Sequence, residues 1–329
     1  MSDICFGVEA EGYLLVTPKE NVFITDGRFI EQVNSHLTLE SEIVCVDIKT
    51  LTQYDYKDYF ADCENIGFEE RYVTYETYKK YLQTYQVNLV ETEGIIESQR
   101  VIKEEYEIEK IKKACEITDR AFEYIIKNIR RGMTEKELAF ELNYQMMKNG
   151  AEGLAFDTIV TSGPNSSMPH AVPTDRIIKE NDIILFDFGA KYDGYCSDCS
   201  RTIFTGTPTE KQKKYYDFVL KQQEKAINSF RDGINIKTIV NNREEDYEAE
   251  KINLIHAIGH GVGLEIHEEP FLRGTVDNFL KKDSVIAIEP GIYFPGEFGI
   301  RIEDTCRVLK EWCSPLTKSK KDLTIVKLN

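Results

Sequence analysis

The segment Ile183-Ile184-Leu185-Phe186-Asp187-Phe188-Gly189 decides how this 329-residue chain is read. Its apolar run has the pattern of a strand buried on both faces, yet Asp187 interrupts it with a carboxylate. A lone ionised carboxylate there costs on the order of several kcal/mol, so Asp187 needs a cation. The chain then turns at Tyr192-Asp193-Gly194 and returns through Tyr195 to Phe204. In an antiparallel hairpin, opposed residue numbers have a constant sum, and this turn admits 385 or 387. Both registers put Asp198 on the face of Asp187, directly opposite or diagonal, at roughly 4.5–5.5 or 7–8 Å between Cβ atoms. Like charges at that separation repel unless a multivalent cation lies between them.

The pattern recurs downstream. Glu289-Pro290-Gly291-Ile292-Tyr293 and Gly299-Ile300-Arg301-Ile302-Glu303 flank a loop around Pro295 to Phe298. A hairpin centred on Gly296 has the sum 592, which sets Glu289 across from Glu303. Four of the five histidines lie between His170 and His267. His260 sits in Gly259-His260-Gly261-Val262-Gly263, where glycines leave room for close approach. His256 and His260 are four apart, but Ala257 replaces the glutamate of His-Glu-x-x-His, so that hydrolytic motif lacks its base. Asp187, Asp198, Glu289, Glu303 and His260 together suit two divalent cations. The oxygen-rich set favours Mn²⁺, with Co²⁺ or Zn²⁺ also admitted.

Around this core the composition excludes several classes. Lys and Arg number 41 against 57 Asp and Glu, a formal net charge of −16, so a basic footprint for nucleic acid or an anionic membrane is missing. No apolar run reaches the roughly 18–20 residues of a membrane span. The start, Met1 to Pro18, lacks a basic leader, and the eight scattered cysteines read as reduced cytoplasmic thiols.

The first hundred residues read as α/β, with strands at Tyr13 to Thr17, Val22 to Thr25, Ile43 to Val46 and Val87 to Val90, and a helix at Glu76 to Tyr85. From Glu104 to about Arg131 the helical spacing of Ile108, Ile111, Cys115, Phe122 and Ile125 predicts one long helix stopped by Gly132. Thr134 with Glu137, and Thr209 with Gln212, are capping boxes that open two more, ending near Gly150 and Phe230. The division between domains is placed at residue 103.

These residues resemble the pita-bread metallopeptidases, which include methionine aminopeptidase, prolidase and aminopeptidase P. The segments that carry the likeness are Phe186 to Ala190, Ser197 to Thr202, Gly259 to Glu268, Glu289 to Tyr293 and Arg301 to Asp304, with Pro169-His170-Ala171 upstream. Phe23-Ile24-Thr25-Asp26-Gly27-Arg28-Phe29 is similar to the N-terminal domain of prolidase-type members. The resemblance implies an α+β chain, with a smaller N-terminal α/β domain over residues 1–103 and a pita-bread (creatinase/aminopeptidase) fold over residues 104–329.

It further implies that Asp187 chelates one metal and His260 with Glu289 the other, while Asp198 and Glu303 bridge them. A metal-bound hydroxide is then the nucleophile, Glu289 shuttles its proton, and His170 and His267 stabilise the oxyanion. His256 and Arg301 take substrate-binding places, Arg301 also being suited to orient an acidic partner. The expected activity is that of an Xaa-Pro aminopeptidase. The alternative is an Xaa-Pro dipeptidase, followed by a methionine aminopeptidase or a non-catalytic binding protein. A cytoplasmic homodimer acting on proline-containing peptides is expected. Two features stand apart. Cys196 and Cys199 flank Asp198 and are expected to pack behind the site, and Phe271 stands where many dipeptidases carry an arginine, with Arg273 the nearest candidate.

Overall fold

The computed structural model describes residues 10–37, 42–51, 58–60, 63–85 and 87–328. The first nine residues, on which the leader reading partly rests, lie outside them. The chain divides into two units, residues 1–96 and 97–329.

In the first unit β1 (Gly12–Val16) pairs antiparallel with β2 (Asn21–Thr25), and β3 (Ile43–Asp47) runs parallel to β2. Helix α1 (Ile30–His36) makes the crossover that a parallel pair needs. β4 (Asn65–Glu69) and β5 (Asn88–Thr92) form a second parallel pair across α2 (Tyr75–Tyr85). Strands predicted at Tyr13, Val22, Ile43 and Val87 are present within two residues of their expected bounds. β4 is not among the predicted strands: its alternation holds only two apolar residues, Ile66 and Phe68, Gly67 weakens the strand signal, and its burial is partial.

The second unit is built on two long, interrupted hairpins. In the first, β8 (Ile183–Phe188) pairs with β11 (Cys199–Phe204), and β9 (Ala190–Tyr192) with β10 (Tyr195–Cys196). Every pair sums to 387, from Ile183↔Phe204 to Tyr192↔Tyr195, so one of the two expected registers is realised. Asp193 and Gly194 at the tip take positive φ, 48° and 82°, as a two-residue turn requires. In the second hairpin, β13 (Val285–Ile288) pairs with β16 (Asp304–Val308) and β14 (Gly291–Phe294) with β15 (Phe298–Arg301). Here every pair sums to 592. The base of each hairpin is the centre of a four-stranded sheet, and β9 near the tip of the first also pairs with β6 (Gly153–Leu154). β7 (Ile159–Ser162) and β18 (Thr324–Ile325) flank the first, β12 (Gly259–Gly261) and β17 (Cys313–Pro315) the second.

Helices cover the outer faces. α3 (Ile95–Arg100) precedes α4 (Glu105–Asn128) and α5 (Glu135–Lys148), and the latter two pack Phe122, Ile125, Leu138 and Leu142 against Ile184, Phe186 and Phe188. α6 (Glu210–Ser229) and α7 (Ile236–Ala249) set Ile227, Ile239 and Val240 against Ile286, Ile288 and Cys306. The helix starts expected at Glu104, Thr134 and Thr209 are all capped. α4, however, ends at Asn128 rather than Arg131: Ile129 is extended and fully buried, and Gly132 makes the following turn with φ 85°. α7 is not among the predicted helices, since only Ile236, Ile239, Val240 and Tyr247 are buried along a heavily charged stretch. Among the described residues no helix is long and apolar enough to cross a membrane.

The Phe122 ring lies 5.5 Å from both Phe186 and Phe188, so it ties α4 to the strand that carries Asp187. Phe122→Ala should destabilise by roughly 3–5 kcal/mol. Urea unfolding reads this directly, and a change below about 1 kcal/mol would show that the contact is not part of the core.

Candidate metal centre

Both hairpins lose their pairing at the level where the acids stand. In the first, Gly189 breaks the ladder, and a Cβ there would lie 2.0 Å from the Ser197 carbonyl oxygen. Asp198 follows in the gap between β10 and β11, diagonal to Asp187, while Ser200 stands opposite Asp187. In the second, Pro290 has no N–H to offer, and Glu289 and Glu303 fall just outside the paired strands. The freed backbone groups turn towards other elements. Glu289 N–H donates to Ile258 O at 2.8 Å, and Glu303 N–H to Ser200 O at 3.0 Å. Ser200 Oγ donates to Glu303 Oε2 at 2.6 Å. Thr305 Oγ1 accepts from Asp198 N–H and donates back to Asp198 O. These bonds stitch the two hairpins together at the acid level.

The result is a cavity of about 740 Å³. His170, Asp187, Asp198, His256, His260, His267, Glu289, Arg301 and Glu303 all line it, so every site residue expected from sequence is brought to one place. Its wall also includes Phe156, Asp157, Phe271 and Arg273.

Electrostatics show what this arrangement lacks. Burial, and then the charges of Glu303 and Asp187, push the Asp198 carboxyl well above the usual carboxylate range. Burial with the charges of Glu289 and Asp187 does the same to Glu303. Glu289 is pushed up to about 8, chiefly by burial. Arg301 is fully engaged with protein: it donates to Asp187 Oδ2 at 2.5 Å, to the Tyr293 hydroxyl at 2.7 Å and to Ser200 Oγ at 2.8 Å. Asp187 Oδ1 is left buried with no hydrogen-bond partner.

His260 sharpens the point. Its Nδ1–H donates to Gly261 O at 3.0 Å, which leaves the Nε2 lone pair facing inward. Nε2 lies 3.5 Å from Asp198 Oδ2 and 3.6 Å from Glu289 Oε1. Burial lowers this imidazole to about 4, so at neutral pH its lone pair is free to bind a cation, whose charge would also let the two raised carboxyls ionise beside it. A backbone carbonyl on the far ring nitrogen is the usual support of a ligating histidine. Ligand atoms of Asp198, His260 and Glu303 all lie within 4.8 Å of one another. The residues fit divalent metal.

The remaining imidazoles border this centre. His267 packs edge-on against His260 with ring centroids 4.3 Å apart, and burial lowers it. His256 donates from Nδ1 to Ala257 O, so its Nε2 accepts from the Tyr293 hydroxyl at 3.1 Å. Tyr293 and Ser200 are not among the residues expected from sequence, although the register 387 alone places Ser200 opposite Asp187. Cys196 and Cys199 are buried in separate apolar clusters, and both are free thiols.

Residues 109–310 match the model of Metallopeptidase family M24. The chain belongs to Metallopeptidase family M24. Residues 6–102 match the Creatinase/Prolidase N-terminal domain. The M24 chain is 38% identical over 320 residues to an Xaa-Pro dipeptidase of Pyrococcus horikoshii, covering 95% of this chain and 88% of that one. In structure it is similar to an Xaa-Pro dipeptidase from Bacillus anthracis, with a TM-score of 0.90 at 36% identity, covering 97% and 90% of the two chains. An X-Pro aminopeptidase from Thermotoga maritima gives a TM-score of 0.86 at 34% identity, covering 95% and 88%. The fold is therefore the pita-bread fold, and this M24 protein is a metal-dependent peptidase.

Above pH 7 the lowered histidines are neutral in both folded and unfolded chains, so the raised carboxyls alone set the sign. A carboxyl whose folded pKa is raised stabilises the fold below its unfolded value and loses that contribution as pH rises through the folded one. For Glu289 the window runs from 4.5 to about 8. Chelator-treated protein should therefore melt at progressively lower temperature from pH 7 to pH 8.5. Added Mn²⁺ should flatten the trend and release protons. A pH-independent melting temperature in chelator would contradict this account.

Proposed function

We propose that this M24 metallopeptidase is an Xaa-Pro dipeptidase. The expectation from sequence puts the Xaa-Pro aminopeptidase first and the dipeptidase second, and the relatives favour the second. The dipeptidase of P. horikoshii matches along nearly the whole chain, and dipeptidase structures match as well. The observation that carries the reading is Arg273. It lines the acid-rich cavity, rests its guanidinium 4.9 Å from the Phe271 ring centroid, and makes no ion pair among the described residues. A dipeptide presents its free carboxylate next to proline, whereas a longer peptide presents a neutral amide there. An unpaired guanidinium in the substrate cavity favours the former.

Asp187, His260 and Glu289 would hold two divalent ions, with Asp198 and Glu303 shared between them. When bound, the ions supply Lewis acidity that activates water and polarises the scissile carbonyl. Arg301 orients Asp187 by its bond to Oδ2 and keeps Oδ1 turned to the centre. Glu289 takes a proton and passes it to the leaving proline nitrogen. His170 and His267 donate to the carbonyl oxygen as charge builds on it. His256, held by Ala257 O and Tyr293, borders the proline ring. Mn²⁺ is the metal best suited to the oxygen-rich set.

Chelator-stripped protein should regain cleavage of Xaa-Pro on addition of Mn²⁺, with Xaa-Pro-Yaa peptides and a methionyl peptide cleaved poorly. Preferred release of the first residue from Xaa-Pro-Yaa would restore the aminopeptidase reading. Arg273→Met should raise KM for Xaa-Pro by roughly 10–100-fold, the loss of a charged hydrogen bond, and leave tripeptides unaffected. Glu303→Ala should abolish turnover and metal retention together. His170→Ala should lower kcat with metal content intact, as measured by elemental analysis.

A further inference from the structure

His267 sits on the cavity wall, yet its ring makes no hydrogen bond with any described residue. Its aim therefore depends on the backbone that carries it and on packing against His260. The next residue, Glu268, is buried, and its backbone is paired with Gly261. Glu268 N–H donates to Gly261 O at 3.1 Å, and Gly261 N–H to Glu268 O at 3.0 Å. One side of the His267 loop is thus tied beside the His260 strand.

The Glu268 side chain is tied as well, and to a different part of the chain. Lys103 Nζ donates to Oε1 at 2.7 Å and Arg100 Nη2 to Oε2 at 2.5 Å. Glu265 N–H adds a longer bond to Oε2 at 3.3 Å, and Arg100 also reaches Glu265 Oε2 at 3.2 Å. Arg100 is the last residue of α3 and Lys103 lies between α3 and α4, where its N–H is itself fixed to Asp283 O at 3.0 Å. The charged ends are deeply buried, with 2% of the Lys103 and 4% of the Glu268 side chain exposed. Gly263 leaves the room: a Cβ there would lie 2.4 Å from Glu268 Oε1.

A buried ion triad is a poor stabiliser compared with apolar packing of the same volume, because desolvation opposes the attraction. Two charge-assisted hydrogen bonds from different directions do something that packing does not, since they fix the carboxylate in distance and in plane. We propose that Arg100 and Lys103 are positioning residues for His267, acting through Glu268. The proposal rests on the reading in which His267 donates to the substrate carbonyl oxygen. A misplacement of about 1 Å in such a group can cost on the order of a hundredfold in rate.

A double-mutant cycle with two readouts tests it. Glu268→Gln, which preserves shape but leaves the buried Lys103 and Arg100 without their counter-charge, should lower the melting temperature and, assayed well below it with metal content intact, should lower kcat by about ten- to a hundredfold. In a His267→Ala background the same change should alter kcat by less than about twofold, because the group being aimed is already gone. Arg100→Lys should retain more activity than Arg100→Met. Equal fold losses in both backgrounds would overturn the proposal, as would full activity of Glu268→Gln. The second readout needs no turnover. Among the five imidazoles, the His267 resonance, identified by its loss in His267→Ala, should shift or broaden in Glu268→Gln while that of His36 stays in place. If wild-type protein cleaved no Xaa-Pro peptide, the dipeptidase reading would fall, and the imidazole spectrum would still decide the clamp: an unmoved His267 resonance refutes it.

Discussion

Asp187, Asp198, Glu289 and Glu303 drawn into one cavity, with the buried Arg301 guanidinium among them, form the constraint on which the rest of this structure depends. Buried without a cation, Asp198, Glu289 and Glu303 are pushed towards protonation, first by loss of water and then by neighbouring carboxylates. Something rigid must hold them until a cation neutralises the charge. Asp198, Glu289 and Glu303 stand where a hairpin has lost its own ladder bonds, and the freed groups bond across to other elements, the opposite hairpin above all. Behind them, Arg201 donates to Ser200 O and Asp304 Oδ1 and is itself almost fully buried. The apolar faces of α4 to α7 then press on the outer sides of both sheets.

Much of this is legible in the residues because side-chain alternation in a hairpin is arithmetic. The sum 592 follows from Gly296 alone, and the sum 387 is one of two values that the Asp193-Gly194 turn allows. Thr134 and Thr209 mark helix starts because capping is local chemistry, and the start at Glu104 is read from apolar spacing alone. The gathering of the expected site residues into one cavity is foreseeable from the same spacing and from resemblance. What stays hidden has non-local causes. The ladder breaks at Gly189 and Pro290 exist because backbone groups are captured by other elements, which no local pattern records. The helix Ile236–Ala249 has too few apolar positions to announce itself. Tyr293 acquires meaning only once distant segments bring Arg301 and His256 to its hydroxyl.

On the proposed reading, the distinction between dipeptide and longer substrate would rest on far less structure than the distinction between peptidase and binding protein. The latter would involve five candidate ligand positions spread over both hairpins and the strand that carries His260. The former would turn on one guanidinium lying on one aromatic ring at the cavity edge. Chemistry and length selection would then be held by separate parts of the molecule, and one could change without disturbing the other.

The hairpin tips impose a rule on how the chain can vary in length. Because strand side chains alternate with period two, the parity of each index sum decides which side chains face the cavity. One residue added at Gly296 keeps Glu289 facing Glu303 only if the loop between Phe294 and Phe298 grows to take it up; if the loop keeps its length, the strand slips by one and Glu303 turns away from Glu289. Two added residues can instead form one more pair on the ladder, with the loop and the acid pair unchanged. Even steps at these two tips can thus lengthen the strands alone, whereas an odd step must remake the turn, a counting restriction that the helices and the loops between them do not share.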